Sequence, residues 1–273
     1  MDPKPEIIEA VPPSAGPPPS FSAVAAFEAK HPEAAALLRR VLRPDERIGL
    51  ITSGWRSWFL DDVFAGLPTL LGNRTLIVGT DQRILLVHTG LRGLRPRGYL
   101  SEIPRECLLG TLGAPLLSLF TTRGTVRLLG VPFTGKRKLA MPLDPERNAS
   151  GAPAMLCPAC FRPHRERVET CPCGCRLKSP VGAGLRNLVV PGWGDAWLGS
   201  PWTGLATALM VGFLWLNLGA LVRAGGVVDV GSTVHEVTRT FALLVGSAHL
   251  AAALVGFLRG SRSLIAESGE LPA

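Results

Sequence analysis

Five of the six cysteines lie between positions 157 and 175, in the stretch CPACFRPHRERVETCPCGC. Cys157 and Cys160 form a CxxC pair, a spacing that places two thiolates on one side of a tight turn. A second cysteine group begins at Cys171, after a ten-residue loop. Because Zn²⁺ prefers four thiolate or imidazole ligands in a tetrahedron, the stretch predicts a zinc site.

The second cysteine group reads CPCGC, which offers CxC or CxxxC spacing and no CxxC. Cys157, Cys160 and Cys171 are predicted ligands, and the fourth is Cys173 or, as the alternative, Cys175. His164 is a weaker candidate. The stretch resembles the zinc-ribbon family, whose second turn usually reads CPxCG, and this resemblance favours Cys173 because Gly174 follows it.

The zinc is expected to be structural. Four protein ligands leave no open coordination position for a catalytic water, and the segment is too short to fold on an apolar core of its own. The first twenty residues are rich in proline and acids and do not resemble a secretory signal, so reduced thiols are expected rather than disulfides. Cys107 stands apart and is expected to be a buried apolar residue.

Two segments after the cysteines predict a transmembrane hairpin. Residues 201–222 carry no charge and residues 240–258 are uncharged unless His249 is protonated, and each is long enough to cross a bilayer. Basic residues precede the first span and follow the second: Arg176, Lys178, Arg186, Arg259 and Arg262. The positive-inside rule then places both termini in the cytoplasm.

The segment ahead of the first span, residues 184–199, contains helix-breaking Pro and Gly and several Trp, which predicts an interfacial position. It resembles the start of small bacterial membrane hairpin proteins, which read PGxGxxYLGxxxxG. His249 lies within the second span and Asn217 within the first, at depths that differ by about 7 Å at helical rise. His249 is therefore expected to be neutral and to face the partner helix without pairing with Asn217.

The part before the cysteines predicts a small antiparallel β barrel or sandwich with a flanking helix. PEAAALLRRVL, from Pro32, has the apolar stripe of a helix, and several short strands follow from Arg47 onward. Two hairpins are expected, around GTDQR and around TTRGT, where Gly124 can take a positive φ. Residues 1–20 should be a disordered Pro-rich tail.

These strands resemble the bacterial pleckstrin-homology-like domains. The matching stretches are VLRPDERIGLITSG, LIVGTDQRILLVHTG, YLSEIP and LSLFTTRGTVRLLG. The apolar insertion SWFLDDVFAGLPTLLG and the short PFTGKRKLAMPLDP segment depart from the pattern. Such a domain is a binding or scaffolding module, so the resemblance implies no catalysis.

The sequence therefore predicts five regions: the tail 1–20, a pleckstrin-homology-like β domain over 21–148, a zinc ribbon over 149–180, a membrane hairpin over 181–262 and a tail over 263–273. The net charge of +8 favours an anionic partner. Beside a membrane that partner is expected to be lipid, bound through two basic clusters. The clusters are Arg92, Arg95, Arg97 and Lys136, Arg137, Lys138.

The predicted function is a non-enzymatic adaptor in the bacterial inner (cytoplasmic) membrane, with membrane lipids and proteins as partners and a homo-oligomer left open. One alternative is a membrane enzyme or oligomeric transporter component, although the sequence contains no HExxH and no phosphate-binding glycine loop. The other is nucleic-acid binding through the ribbon, which RPHRER favours. Nucleic acid is not the expected partner, since Phe161 is the ribbon's one aromatic residue for stacking.

Overall fold

The computed structural model describes most of the chain. The described residues are 8–9, 27–57, 74–89, 96–113, 116–144, 146, 148–227, 231–261, 264–265 and 267. Most of the predicted 1–20 tail, the apolar insertion after the first long strand, and Arg92 and Arg95 of the predicted lipid site lie outside these ranges.

The amino-terminal part is one antiparallel sheet. Its strands are β1 (Ile8–Glu9), β2 (Ile48–Ser57), β3 (Arg74–Thr80), β4 (Arg83–Thr89), β5 (Pro96–Pro104), β6 (Leu108–Leu112), β7 (Leu117–Thr121), β8 (Gly124–Leu129), β9 (Ala154–Leu156) and β10 (Pro163–His164). The spatial order is β10-β9-β5-β4-β3-β2-β8-β7-β6, and β1 also pairs with β2. β2 joins the two halves of the sheet, because it pairs with β3 over most of its length and with β8 at its end.

Both predicted hairpins are confirmed. β3 and β4 pair from Thr75↔His88 to Gly79↔Ile84, and β7 and β8 pair up to the turn at Thr121↔Gly124. Gly124 has φ +129°, a backbone conformation that side chains larger than that of glycine rarely adopt. Strand β6 was not predicted; its sequence, LLGTL, is short and interrupted by Gly110.

Strand β4 is buried on both faces because two cores flank the sheet. Helix α1 (Pro32–Val41) covers one face, where Leu38 packs with Leu85 and Val87. On the other face Ile84 and Leu86 share a core with residues of β6, β7 and β8 and of helix α2 (Phe133–Leu139). The second core lies between the two halves of the sheet, in a two-layered arrangement, and Cys107 is buried in it as predicted.

A buried ion network ties the end of α1 to the sheet. Arg83 on β4 donates from Nε to Glu46 Oε1 at 2.8 Å, from Nη2 to the Val41 carbonyl at 2.8 Å, and from Nη1 to Glu102. Thr80 Oγ1 donates to Glu46 Oε1 at 2.7 Å. Burial alone would raise the pKa of Glu46, but the hydrogen bonds from Arg83 and Thr80 outweigh it and hold that pKa below its ordinary value.

The carboxyl-terminal part is helical. Helix α3 (Pro180–Val189) is followed by the short α4 (Trp193–Trp197), then α5 (Pro201–Val227) and α6 (Gly231–Ser261). Within the last two, Pro201–Arg223 and Glu236–Ser261 are long and apolar enough to cross a membrane. These segments contain the two predicted spans.

Candidate metal centre and its links to the helices

The structure brings four of the five clustered thiols together. The ligand atoms of Cys157, Cys160, Cys171 and Cys173 all lie within 4.8 Å of one another. The Cys157 and Cys173 sulfurs are 3.7 Å apart, and those of Cys160 and Cys171 are 3.6 Å apart. For Zn–S bonds of about 2.3 Å, the sulfurs of a regular tetrahedron lie about 3.8 Å apart. The four thiols therefore fit a tetrahedral metal ion.

Backbone hydrogen bonds explain why the second turn can use CxC spacing. In the first turn Phe161 N–H, directly after Cys160, donates to the Cys157 carbonyl at 2.9 Å. In the second turn Gly174 N–H, directly after Cys173, donates to the Cys171 carbonyl at 2.8 Å. Cys173 therefore occupies the position in its turn that Cys160 occupies in the first, with the loop one residue shorter.

The next pair of hydrogen bonds repeats this equivalence. Cys157 N–H donates to the carbonyl of Arg162, two residues after Cys160, at 3.0 Å. Cys171 N–H donates to the carbonyl of Cys175, two residues after Cys173, at 2.9 Å. The backbone of Cys175 thus closes the second turn, while its sulfur lies outside the group of four and is 3.7 Å from the Arg176 carbonyl.

Both turns end in a left-handed residue. Gly174 has φ +87° and Phe161 has φ +56°, which is a costly conformation for an aromatic residue. Phe161 packs against the core that α1 covers, and the Arg40 guanidinium lies over its ring at 5.2 Å. Packing between the metal site and α1 therefore holds Phe161 in the strained conformation.

The thiols differ in acidity. Burial raises the pKa of Cys157 to about 11 and that of Cys171 to about 12. The backbone N–H of Cys175 stabilises the Cys173 thiolate and lowers the pKa of Cys173 to about 7. At neutral pH the two buried thiols are protonated without a metal, so metal binding must release their protons. His164 Nε2 lies 3.4 Å from the Cys171 sulfur and outside the group of four.

The metal site is joined to the β domain through the sheet. β9 ends directly before Cys157 and pairs with β5 through Leu100↔Leu156, and β10 returns along β9. Leu156 is fully buried in the core under α1. The first cysteine turn is therefore the tip of a hairpin at the edge of the sheet.

The metal site is also joined to both ends of the helical part. Lys178 N–H donates to the Ile265 carbonyl at 2.8 Å, and Glu267 N–H donates to the Arg176 carbonyl at 3.0 Å. Arg167 donates to the carbonyls of Gly260, in the last turn of α6, and of Lys178. The segment leading into α3 and the segment leaving α6 therefore meet at the second half of the cysteine stretch.

Residues 184–199, predicted to be interfacial, form a helical fold-back against α6. Pro180 contacts Gly260 and Gly184 contacts Phe257, so α3 runs antiparallel to the last part of α6. Gly192, at φ +91°, makes the turn into α4, where a Cβ would lie 1.9 Å from the Gly204 carbonyl oxygen. The conformation and the close approach together require glycine at this position.

A buried polar network, which was not predicted from the sequence, holds this fold-back together. Asn187, fully buried, donates from Nδ2 to the Ala252 carbonyl at 3.0 Å and to Asp195 Oδ2 at 3.1 Å, and its Oδ1 accepts from Gly194 N–H at 2.6 Å. Arg259 on α6 pairs with Asp195 at 2.5 Å. An acid in an otherwise apolar stretch is the sequence signal that could have indicated such a network.

His249 faces its partner helix, as predicted. Trp215 Nε1 donates to His249 Nε2 at 3.0 Å, so the other ring nitrogen carries the proton and donates to the Leu188 carbonyl at 2.8 Å. Asn217 instead donates to the Phe213 carbonyl of its own helix. His249 therefore links α3, α5 and α6.

The described members of the two predicted basic clusters lie in different parts of the sheet domain. Arg97 is in β5, near the Thr89↔Pro96 pair at the end of the sheet where Tyr99 packs on the helices. Lys136, Arg137 and Lys138 are in α2, which begins beside Thr52 and ends with Leu139 against Gly79, near the β3–β4 turn. That turn is at the opposite end of β3 and β4.

Comparison with known proteins adds no relative: no protein-family model, no curated protein and no solved structure matches this chain.

Proposed function

We propose that this chain is a non-enzymatic adaptor anchored in the bacterial inner membrane. In this proposal a pleckstrin-homology-like domain is held on the cytoplasmic face by a structural zinc ribbon and a two-helix transmembrane hairpin. The observation that carries the proposal is the position of the cysteine stretch, which pairs with the β domain through β9 and with both ends of the helical part through Arg167 and Lys178. Such a connector fixes a binding domain relative to its anchor.

The exposed surface of the helices supports the membrane anchor. A core helix of a soluble protein is mostly buried, but only 6% and 22% of an 18-residue apolar stretch in α5 and in α6, respectively, are buried. Helix α3 also exposes apolar side chains, those of Val181, Leu185 and Val189, while its polar residue Asn187 is buried. Exposure of this much contiguous apolar surface is unfavourable in water and favourable in lipid.

Zinc is the metal that the ligands favour. Four thiolates in a tetrahedron suit Zn²⁺, and a fully ligated site has no position for a reacting water. When bound, the metal would supply the cross-link that closes the two turns. The protein residues do the rest: β9 and β10 position Cys157 and Cys160, and the Gly174 turn positions Cys171 and Cys173.

The orientation of the sheet supports a lipid contact at one of the two basic clusters. Tyr99 on β5 packs with Ala183, Leu198 and Ile265, so the end of the sheet at which β5 begins lies beside the helices. β4 ends at Thr89 and β5 begins at Pro96 at that end, and Arg97 follows in β5. Arg92 and Arg95 lie between these two strands in the sequence. We propose that this cluster meets anionic headgroups and that Lys136–Lys138, farther from the helices, remains available to a protein partner.

The membrane topology can be tested with reporters on the full chain. A reporter after Ala273 is expected to behave as cytoplasmic, and one inserted near Gly231 as external, because basic residues precede the first span and follow the second. The chain should also stay in the membrane after alkaline extraction. A cytoplasmic reporter at Gly231, or complete extraction at alkaline pH, contradicts the anchored hairpin.

The lipid contact can be tested with a soluble fragment of residues 20–178, which must extend past β9 because Leu156 belongs to the core. The fragment should float with vesicles rich in phosphatidylglycerol and not with phosphatidylcholine vesicles, and binding should fade as salt rises. Replacing Arg92, Arg95 and Arg97 with Gln should abolish flotation, while the matched triple Gln variant of Lys136–Lys138 should retain it. The reverse result would place the lipid contact on α2.

A further inference from the structure

Lys178 is a buried cation that forms no ion pair with any residue that the structure describes. It lies directly before the Ser179 cap of α3 and is 7% exposed. Its ammonium donates to the Trp197 carbonyl and lies 5.3 Å from the centroid of the Trp197 ring. Across the described ranges, no carboxylate lies within ion-pair distance of it. Burial lowers the pKa of Lys178, and the nearby positive charge of Arg186 lowers it further.

Arg186 brings a second positive charge to the same ring. From its position on α3 the side chain turns back toward the start of the helix, where Nη1 donates to the Gly182 carbonyl at 3.0 Å. The guanidinium lies 4.0 Å from the Trp197 ring centroid and 5.9 Å from that of Trp193. Among the residues that the structure covers, Arg186 also has no carboxylate partner.

The acid of α4, Asp195, is already engaged. Asp195 accepts hydrogen bonds from Asn187 and pairs with Arg259. The amino-terminal end of α3, beginning at Pro180, adds the partial positive charge of the helix dipole, although Ser179 Oγ already caps Gly182 N–H. Two cations and a helix start therefore converge on Trp197, and none of the described carboxylates pairs with either cation. An external anion would stabilise this arrangement.

The surroundings identify the class of that anion. Val181, Leu185 and Val189 of α3 are exposed and apolar, and Trp193 is 52% exposed. Exposed Trp rings beside an apolar helix surface are typical of the headgroup level of a bilayer, where an Arg side chain bends back toward the polar region. At that depth the available anion is the phosphodiester of a phospholipid.

We propose that Arg186 and Lys178, framed by Trp193 and Trp197, form a binding site for the phosphate headgroup of an anionic phospholipid in the cytoplasmic leaflet. The inference rests on the proposed membrane anchor and adds a defined lipid site at the joint between the cysteine stretch and the helices. The guanidinium supplies directed donors to the phosphate oxygens, and the ammonium supplies a second charge. A bound lipid would hold α3 and α4 against the cysteine stretch through Lys178.

The test is native mass spectrometry of the full chain in detergent, titrated separately with phosphatidylglycerol, phosphatidylcholine and sn-glycerol 3-phosphate. The wild-type chain should bind phosphatidylglycerol at least about tenfold more tightly than the other two, and Arg186→Gln should weaken that binding about tenfold, the loss of one charge-assisted contact. The matched control is Arg223→Gln, which removes an exposed charge at the other end of α5 and should change binding less than about twofold.

Equal binding of phosphatidylglycerol to the wild-type chain and to Arg186→Gln, or equal affinity for the zwitterionic lipid, would overturn the proposal. Equal binding of glycerol phosphate would show that the site takes a free phosphate compound and not a lipid. If Arg186→Gln loses zinc or unfolds, Lys178→Gln serves as the second variant, with the same expected loss. Failure of the membrane anchor itself would be seen separately, as alkaline extraction of the wild-type chain.

Discussion

Cys173 and Cys175 are two residues apart, and exchanging each for serine should have very different effects on zinc binding. The Cys173 sulfur lies 3.7 Å from that of Cys157, the separation expected in a tetrahedral site. Cys175 contributes its backbone, through the bond from Cys171 N–H to its carbonyl, and serine preserves that bond. The Cys173→Ser variant should therefore lose a ligand, whereas Cys175→Ser should lose none.

The magnitude follows from the number of thiolates. Structural zinc sites have apparent binding free energies of about 10–16 kcal/mol, so an equal share for each of four ligands is about 2.5–4 kcal/mol. Loss of that share corresponds to an affinity about a hundredfold to a thousandfold weaker. Cys160→Ser should give the same loss as Cys173→Ser because the two cysteines occupy equivalent positions in their turns. Cys175→Ser should stay within about threefold of the wild-type chain.

The assay is competition for zinc between the full chain in detergent and a chromophoric chelator of known affinity, at constant pH. Constant pH is needed because the buried thiols of Cys157 and Cys171 release protons when metal binds, so apparent affinity should rise with pH. A larger loss of zinc in Cys175→Ser than in Cys173→Ser would refute the assignment. Equal retention of zinc by all three variants would show that the thiols do not form the site.

Two further predictions concern stability. Replacing Glu46 with Gln leaves a buried Arg83 with one fewer anion and should cost about 3–5 kcal/mol in unfolding free energy, whereas Glu28→Gln, in an exposed pair with Arg39, should cost less than about 1 kcal/mol. The folded-state pKa of Glu46 is below its ordinary value of 4.5, so its ionised form contributes to the unfolding free energy above that pH, and this contribution is lost as the pH falls further. Denaturant unfolding from pH 7 to pH 3 should show this loss in the wild-type chain and not in Glu46→Gln. Gly192→Ala should lower the thermal midpoint in detergent by an amount equivalent to about 2–4 kcal/mol, since its Cβ would meet the Gly204 carbonyl at a left-handed backbone position, while Gly212→Ala, with open space around it, should not lower it. Equal midpoints for the two glycine variants would contradict the tight turn.

Features that depend on neighbouring residues could be predicted from the sequence. The two β hairpins follow from alternating apolar runs around Asp81 and Gly124, and α1 follows from an apolar stripe after Pro32. The two apolar segments follow from length and lack of charge, and the first metal ligands from the spacing of Cys157 and Cys160. In each case the residues that carry the pattern belong to the predicted element itself, because the local backbone geometry sets the spacing of its side chains.

The tertiary structure decided what depends on contacts between distant residues. The choice between Cys173 and Cys175 depended on how two backbone turns face each other. The position of β9 depended on its pairing with β5, which is more than fifty residues away in sequence. The fold-back of α3 depended on the hydrogen bond that Asn187 donates to α6. Local patterns carry no information on such pairings, because any polar group can be satisfied by many partners until the chain is packed. Burial then selects the partner, because leaving the buried Asn187 side chain without hydrogen bonds would cost the desolvation free energy of its amide.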